Sequence, residues 1–323
     1  MKYRALGRTG LQVSEIGFGA WGIGGRTVGT TSYGDTDDRT SLAALARALD
    51  EGITFFDTSS AYGNGHSEAL IGQAFEGRRD LVVIATKAGY DAWDKPPDFS
   101  PAAVVASAEA SLRRLRTDVI DVFQLHNPPQ EALRSLELRD ALATLLKSGK
   151  IRAWGVSAKS PVEAIEALRE FDVAVVQANF NMMDVRALDG LLAEAESRNA
   201  GFIGRTPLCF GFLSGAISKE TVFPPGDHRL GWSRAQLDNW IDGAADLLAA
   251  VKATPGSEGA QSALRFCLAF PAISSVIPGI MTPAEADQNA RASKFGPLPA
   301  EAVEAILQIN RQRQFFVARP RAS

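Results

Sequence analysis

The chain has 323 residues, of which 46% are apolar and 22% are charged. These are ordinary values for a globular protein that buries a large core. The formal net charge is −3, without a long basic or acidic run, which argues against nucleic acid or an anionic membrane as the main partner. Nucleotide ligands remain compatible with this charge, because phosphates can be held locally.

Cysteine usage and the N-terminus bear on the compartment. Cys209 and Cys267 stand in apolar contexts without metal-ligating or CxxC spacing, which predicts buried free thiols in a reducing compartment. Residues 1–7 lack the apolar core of a signal peptide, and no stretch reaches the roughly 20 apolar residues that span a bilayer. We therefore expect a cytoplasmic protein with no membrane partner and no bound metal.

The first predicted element is a small β-hairpin, in which residues 3–6 and 11–13 flank a Gly-bounded turn. A Gly-rich strand follows at 16–22 and leads into a flexible loop that reaches about residue 35. Acidic residues at Asp37 and beyond favour a helix N-terminus there. Apolar residues at helical spacing continue until Gly52 ends that helix.

From there on, strand and helix patterns alternate along the chain. The further candidate strands are 54–57, 81–86, 119–125, 151–157, 173–178, 201–206 and 274–277. With the first strand they make eight, and most are short apolar runs, as expected when helices cover both faces of a sheet. The order and length predict an α/β fold, a single (β/α)8 TIM barrel over residues 1–323. A doubly wound sheet is the alternative, but no G-x-G-x-x-G turn follows the first strand.

One long segment interrupts the alternation after the seventh strand. About 65 residues precede the final strand-helix unit, and we predict residues 208–255 as a lid or insertion on the top face of the barrel. A variable surface excursion is the alternative. The run 223–229 is too polar and too rich in Pro and Gly to predict a packed element. Residues 299–312 predict a C-terminal helix, which a basic tail follows.

Titratable side chains stand at the ends of three consecutive predicted strands. Asp57 ends the second strand and Tyr62 lies in the loop after it, while Lys87 and His126 follow the third and fourth strands. Strand ends of a barrel converge on one mouth, so the four groups are expected to share a pocket. A Lys at the end of an apolar strand needs an anion, and Asp57 is on the adjacent strand. Each residue taken alone also fits an ordinary polar group.

In residue type, order and approximate spacing, Asp57, Tyr62, Lys87 and His126 resemble the catalytic tetrad of the aldo-keto reductase superfamily. The run 226–229 and the Gly-bounded motif at Tyr62 resemble those of its bacterial sugar or aldose oxidoreductases. The resemblance implies an NAD(P)H-dependent enzyme that acts on a small carbonyl compound. A free Tyr has a pKa of about 10, and an ammonium beside it favours the phenolate.

These groups have distinct expected roles in the chemistry. Tyr62 is expected to act as the general acid in reduction and the general base in oxidation. Asp57 would hold Lys87 beside it, and His126 would orient the carbonyl. The hydride belongs to the cofactor.

The resemblance also implies how the nicotinamide is held. Ser157 and Gln177 match the residues that bind its carboxamide. The family commonly has Asn where this chain has Ala158, and it usually has an aromatic residue stacked on the nicotinamide where this chain has Arg205. A guanidinium plane can stack as well. Arg205 could instead bind substrate or the pyrophosphate, or be a solvated residue at a strand end.

The segment after the eighth strand bears on the choice between NAD and NADP. Ile280 and Met281 cannot pair with a 2′-phosphate. Glu285 would repel that phosphate or accept a hydrogen bond from a ribose hydroxyl, although it also fits the third position of a capping box. We therefore predict NAD to be at least as good a cofactor as NADP, and only Arg229 in the predicted lid could reverse this. The remaining predicted cofactor contacts are Thr206, Leu208, Gly279, Gln288 and Asn289.

The expected substrate pocket is walled by aromatic and polar residues from several loops. Such walls suit a polyhydroxylated, sugar-like carbonyl compound, although the two Trp residues also fit core-capping aromatics. The predicted substrate contacts are Trp21, Tyr90, Trp93, Asn127 and Arg229.

Three functions remain open at this point. One is a reductase of aldehydes and ketones, and the second is an NAD-linked dehydrogenase that oxidises an aldose at C1. The third is a cofactor-bound regulatory subunit with little turnover, as in the channel β-subunits that resemble this family. We expect a monomer or a small homo-oligomer.

Overall fold

The fold is that of a computed structural model, which describes residues 1–29 and 31–317. Residues 318–323 of the predicted basic tail lie outside the described residues. The strands are β1 (Tyr3–Ala5), β2 (Gln12–Ser14), β3 (Phe18–Gly19), β4 (Phe55–Asp57), β5 (Val83–Ala88), β6 (Ile120–His126), β7 (Ile151–Ser157), β8 (Val175–Asn179), β9 (Gly201–Arg205) and β10 (Ser275–Ile277). The helices are α1 (Asp38–Asp50), α2 (His66–Ala74), α3 (Pro101–Arg114), α4 (Gln130–Arg134), α5 (Leu136–Lys147), α6 (Pro161–Phe171), α7 (Leu191–Ser197), α8 (Arg234–Val251), α9 (Ala260–Leu268), α10 (Pro283–Phe295) and α11 (Ala300–Gln312).

Strands β3 to β10 form one parallel sheet in sequence order. The two ends of the sheet meet, since Ile16 bridges to Val276 and Gly19 to Gly279 in parallel fashion. A Cβ on Gly19 would lie 2.8 Å from the carbonyl oxygens of residues 277 and 278, so a glycine is needed where β3 and β10 close on each other. The predicted (β/α)8 barrel is confirmed.

The hairpin β1–β2 covers the N-terminal end of the barrel. Its residues Leu6 and Val13 are fully buried and pack with one apolar side chain from each of several barrel strands. Each such side chain contributes roughly 1.5–3 kcal/mol on burial. The second and larger core lies between the barrel and the helices. Both cores leave the C-terminal strand ends free for polar groups.

The helices begin where the sequence places capping residues. Asp37 accepts from the backbone N–H of Thr40 and starts α1. Full capping boxes start α6 at Ser160 and α10 at Thr282, each with Pro at the first helical position. The predicted C-terminal helix is α11. Among the described residues, no helix is both long and apolar enough to cross a membrane.

The predicted limits of the third and fourth barrel strands are wrong, and the difference changes where two site residues lie. The third barrel strand was expected at 81–86, but β5 begins at Val83 and continues to Ala88. Leu81 instead lies half-exposed in a turn. Lys87 is therefore inside its strand and paired with Gln124 of β6, and His126 is the last residue of β6. The structure anchors both side chains on strands, and strands hold them more rigidly than loops would.

Segment 208–255 contains much regular structure. Helix α8 takes up its second half and buries Trp240 and Leu247 against the rest of the protein. The run 223–229 was expected to be too polar to pack, and this is wrong at its end, because Asp227 is fully buried and His228 nearly so. The burial is possible because Asp227 is ion-paired with Arg229 at 2.6 Å.

Candidate active site

Lys87 is the centre of a buried cluster at the C-terminal ends of β4 and β5. Its Nζ donates to Asp57 Oδ1 at 2.5 Å and to the Thr58 carbonyl at 2.8 Å. Lys87 and Asp57 are 0% and 2% exposed. Burial by itself lowers the pKa of Lys87, but the Asp57 carboxylate and the Tyr62 oxygen more than offset this and raise the pKa above its ordinary value. Lys87 is therefore a cation at neutral pH.

Tyr62 is held over this cation by a tight turn, Tyr62–Gly65. Its Oη lies 3.4 Å from Lys87 Nζ. Gly63 has a φ of +62°, and a Cβ there would lie 2.0 Å from the carbonyl oxygen of Gly24. Only glycine therefore lets the loop after β3 approach Tyr62 so closely. An ammonium at this distance favours the phenolate, so the geometry suits proton transfer through Tyr62 Oη.

The second oxygen of Asp57 is held by two side-chain amides. Gln177 Nε2 donates to Asp57 Oδ2 at 2.8 Å, and Gln124 Nε2 donates to the same oxygen at 3.1 Å. Gln177 Nε2 also contacts Gln124 Oε1 at 3.2 Å, while Ser157 Oγ donates to Gln177 Oε1 at 3.3 Å. Sequence reasoning missed Gln124. The sequence does indicate that Gln124 faces the site, because it lies two residues before His126 and residues two apart share a strand face.

His126 is 4% exposed and lies among aromatic rings. The ring centroids of Trp93, Tyr90 and Tyr62 lie 5.4, 5.6 and 6.1 Å from its own. Its Nδ1 is 3.3 Å from Ser59 Oγ. Burial, with the positive charges of Lys87 and Arg205, holds the pKa of His126 well below its ordinary value. The imidazole is therefore neutral and can donate one hydrogen bond into the site.

A cavity of about 250 Å³ opens above these groups. Of the predicted substrate contacts, Trp21, Trp93 and Asn127 line it. Tyr90 does not, and instead packs behind Trp93 with ring centroids 5.3 Å apart. Asn127 has a buried Oδ1 without a hydrogen-bond partner among the described residues. Tyr33, Asn179 and Phe210 also line the cavity and were not predicted, because they come from loops and strand ends without a distinctive motif.

A groove of about 360 Å³ continues from the cavity toward the N-terminus of α10. Most of the predicted contacts to the far end of the cofactor line it, namely Thr206, Leu208, Gly279, Glu285, Gln288 and Asn289. Glu285 accepts from the backbone N–H groups of Met281 and Thr282 at 2.7 and 3.0 Å. It therefore serves in the capping box and still faces the groove. The groove thus leads from the cavity above Tyr62 to the N-terminus of α10, an end of a helix that favours an anion.

Arg229, predicted as a substrate contact, lines the groove. Its guanidinium binds both carboxylate oxygens of Asp227, at 3.0 and 2.6 Å. It also lies over the rings of Tyr33 and Phe223, at 4.9 and 4.4 Å from their centroids. The Arg229 side chain therefore stabilises segment 223–231 from within, and Asp227 neutralises its charge.

Segment 223–231 contacts the loop after β3. The backbone N–H of His228 donates to the Ser32 carbonyl at 2.8 Å, and the His228 ring lies 4.7 and 4.8 Å from those of Trp21 and Tyr33. Burial lowers the pKa of His228 to about 4. These contacts join two loops across the junction of cavity and groove.

Arg205 ends β9 and reaches across the barrel mouth. Its Nη2 donates to the carbonyl oxygen of Ala158, which follows β7, at 2.8 Å. Its side chain lines the cavity, and burial lowers its pKa from the ordinary value. Its Nε is buried without an acceptor among the described residues. Arg205 is therefore not a solvated residue at a strand end.

A parallel barrel whose strand ends bring a Tyr, a buried Lys–Asp pair and a neutral His to one cavity is the arrangement of an NAD(P)H-dependent oxidoreductase. The chain belongs to the aldo/keto reductase family, whose sequence model matches residues 15–311. The match confirms the resemblance that the tetrad suggests.

Individual relatives agree with this assignment. The chain is 32% identical to the aldo-keto reductase YhdN of Bacillus subtilis, over 88% of this chain and 86% of that one. It is 29% identical to the L-glyceraldehyde 3-phosphate reductase of Escherichia coli (strain K12), over 90% of this chain and 87% of that one. The solved structure of the glycerol dehydrogenase AKR11B4 from Gluconobacter oxydans superposes with a TM-score of 0.79 and 26% identity, over 99% and 98% of the two chains.

Proposed function

We propose that this chain transfers a hydride reversibly between a nicotinamide cofactor and a small polyhydroxylated carbonyl compound, with Tyr62 as the general acid and base. The observation that carries the proposal is the position of Lys87 Nζ, 2.5 Å from Asp57 and 3.4 Å from Tyr62 Oη. A fully buried ammonium between a carboxylate and a phenol is costly to desolvate, and an apolar residue would serve the stability of the fold at least as well. The presence of Lys87 is therefore better explained by chemistry than by stability.

The mechanism follows from the charges in the site. When bound, the nicotinamide supplies or accepts the hydride. In reduction, Tyr62 delivers a proton to the substrate oxygen, on which negative charge develops, and Lys87 stabilises the phenolate that remains. The neutral His126 donates a hydrogen bond to the same oxygen and orients it. In oxidation, the Tyr62 phenolate takes the hydroxyl proton by the same path.

The substrate class is supported by the polar atoms of the cavity. Asn127 Oδ1 is buried and unpaired within the described structure, so a substrate hydroxyl that donates to it would recover a hydrogen bond. The rings of Trp21 and Trp93 can pack on the carbon face of a sugar-like compound. Relatives that bear the names of glycerol and glyceraldehyde 3-phosphate activities support the same class.

The groove supports NAD at least as well as NADP. Met281 offers no charge to a 2′-phosphate, and Glu285 faces the groove with a carboxylate. Arg229 is the cation on this wall, and Asp227 already neutralises it. A 2′-phosphate would therefore meet a negative side chain and no free positive one among the described residues of the groove.

Segment 208–255 is proposed to include the lid that admits the cofactor. Within it, residues 223–231 contact the loop after β3 through the hydrogen bond from His228 to Ser32. Cofactor exchange would require this contact to open, a step that limits turnover in many enzymes.

The second candidate is an NAD-linked aldose 1-dehydrogenase that works in the oxidative direction. The same tetrad serves it. The described residues of the groove offer no free cation to a 2′-phosphate, which favours this candidate because NAD more often accompanies oxidation. A panel of aldoses, polyols and simple aldehydes with all four cofactor forms would separate the two, since the favoured substrate, cofactor and direction are read in one assay.

The acid–base role is tested by Tyr62→Phe, which removes one hydroxyl. We expect NADH or NADPH to bind with a near-normal dissociation constant while turnover falls by about 10²-fold or more. The matched control is Tyr3→Phe in the hairpin at the opposite end of the barrel, which should keep turnover. Wild-type turnover in Tyr62→Phe would show that the assigned acid is wrong.

A further inference from the structure

We propose that the Arg205 guanidinium binds the carboxamide oxygen of the nicotinamide and, through its charge, favours the reduced over the oxidised cofactor. The inference rests on the proposed function and assigns a cofactor-positioning residue within it. Three features of the described residues carry it: an anchored guanidinium, an unpaired donor, and the absence of other free donors in the Ser157–Gln177 pair.

The guanidinium is anchored at one end only. Arg205 Nη2 donates to the Ala158 carbonyl at 2.8 Å, so the side chain spans from β9 over β8 to the end of β7. Ala158 is 1% exposed, and its small side chain leaves this position to the arginine. The anchor fixes the plane of the guanidinium where the side chain lines the cavity.

The guanidinium of Arg205 makes one hydrogen bond within the described residues, and its Nε is buried without a partner there. The side chain lines the cavity wall that Gln177, Thr206 and Gly279 also line. A ligand in the cavity can therefore offer an acceptor to an N–H group of the guanidinium that faces it. Thr206 and Gly279 also line the groove, so a dinucleotide that enters along the groove brings its reactive end past Arg205. The walls at Trp93 and Asn127 belong to the cavity alone.

The two residues expected to hold the carboxamide are already occupied. Both amide hydrogens of Gln177 have acceptors, in Asp57 Oδ2 and Gln124 Oε1. The Ser157 hydroxyl donates to Gln177 Oε1, and Ser157 is fully buried. A carboxamide oxygen on this wall would therefore find its donor in Arg205.

The positive charge has a second consequence. A guanidinium beside the ring repels the pyridinium of the oxidised cofactor and does not repel the neutral dihydropyridine. Arg205 therefore stabilises NADH more than NAD⁺, in addition to the hydrogen bond that both can accept.

The test is a set of binding titrations, followed by nucleotide or intrinsic Trp fluorescence, with the full chain and its variant Arg205→Met. ADP-ribose shares everything with NADH except the nicotinamide. We expect Arg205→Met to raise the dissociation constant of NADH about tenfold or more, which corresponds to the loss of a charged hydrogen bond. ADP-ribose should change less than twofold, and NAD⁺ should weaken less than NADH. Wild-type protein should also prefer NADH to its thionicotinamide analogue, whose sulfur is a weaker acceptor, and the variant should not.

Other outcomes overturn the inference in distinguishable ways. An equal loss for NADH and ADP-ribose would indicate a pyrophosphate contact or a structural role. Unchanged NADH binding with a raised KM for substrate would make Arg205 a substrate residue. Arg205→Lys provides a second variant if Arg205→Met folds poorly, because it keeps the charge and cannot bind Ala158 and the ligand together. Failure of the wild-type protein to bind any nicotinamide nucleotide would sink the proposed function instead.

Discussion

The side-chain amide of Gln177 donates to Asp57 at 2.8 Å, so a residue expected to touch the cofactor also holds the buried ion pair of Asp57 and Lys87. Gln124 makes the same bond from a position that does not line the cavity. The two amides keep the carboxylate of Asp57 oriented toward Lys87.

Gln177→Met should therefore lower turnover about tenfold, because Asp57 loses one of its two amide hydrogen bonds, each worth roughly 1.5–3 kcal/mol to a charged group. Gln124→Met is the matched variant, because it also removes one amide hydrogen bond to Asp57 but changes a residue that does not line the cavity. Similar falls in kcat, with unchanged NADH dissociation constants, would support the orienting role. A raised dissociation constant in Gln177→Met alone would identify Gln177 as a cofactor contact.

The ion pair of Asp57 and Lys87 predicts an asymmetric cost in stability. Asp57→Asn leaves a buried ammonium with neutral partners, which should cost about 3–5 kcal/mol in the free energy of unfolding. Lys87→Met should cost less, because Gln124 and Gln177 still donate to Asp57.

The double variant Asp57→Asn/Lys87→Met should recover most of that stability and none of the turnover. Urea unfolding and steady-state kinetics on the three variants measure both. Additive losses of stability would contradict a coupled pair.

Glu285 predicts how the cofactor preference can be moved. Glu285→Gln keeps an oxygen that accepts from Met281 and Thr282 but removes the negative charge. The ratio of NADP to NAD dissociation constants should fall roughly fivefold, since about 1 kcal/mol of repulsion is removed at a partly exposed site.

Glu285→Ala is the control for the cap, because it removes charge and hydrogen bonds together. It should change the ratio similarly and also cost about 0.3–1.5 kcal/mol of stability. An unchanged ratio in both variants, or a strong NADP preference of the wild type, would contradict the assignment of Glu285 to the 2′ position.

His228 predicts a loss of stability in acid. Its pKa is lowered by burial to about 4, whereas an unfolded His titrates near 6.5. Between these values the unfolded state binds more protons, so the free energy of unfolding decreases as pH falls from 6.5 toward 4. Asp227 and Arg229 act on this shift in opposite directions, the first raising and the second lowering the pKa.

His228→Phe keeps the ring contacts with Trp21 and Tyr33 and removes the titration. Between pH 6.5 and pH 4 the free energy of unfolding of the variant should fall by about 2 kcal/mol less than that of the wild type. This figure is smaller than the full pKa shift implies, because His228 is not completely shielded from solvent. Urea unfolding at a series of pH values gives the comparison. Identical pH profiles would show that His228 does not titrate differently in the folded state.

The sequence by itself predicted the barrel, and it predicted that four polar side chains meet at the mouth of that barrel. Capping residues such as Ser160 and Thr282, glycines and apolar periodicity act locally, so each element could be predicted from its own residues. Asp57, Tyr62, Lys87 and His126 could be assigned because a parallel barrel always brings successive strand ends to one mouth. Boundaries were less predictable, as the displaced β5 shows, because the register of a strand depends on its neighbours.

The tertiary structure alone decided which partners the side chains at the barrel mouth bind. Gln177 and Gln124 are 53 residues apart in sequence, and no local pattern shows that both hold Asp57. Arg205 and Ala158 each depart from the family pattern, and only the fold brings them into one hydrogen bond. Arg229 looked like a free cation until the packing of its loop paired it with Asp227. Hydrogen bonds and ion pairs of this kind depend on distances across the barrel mouth, which close only when the chain is folded.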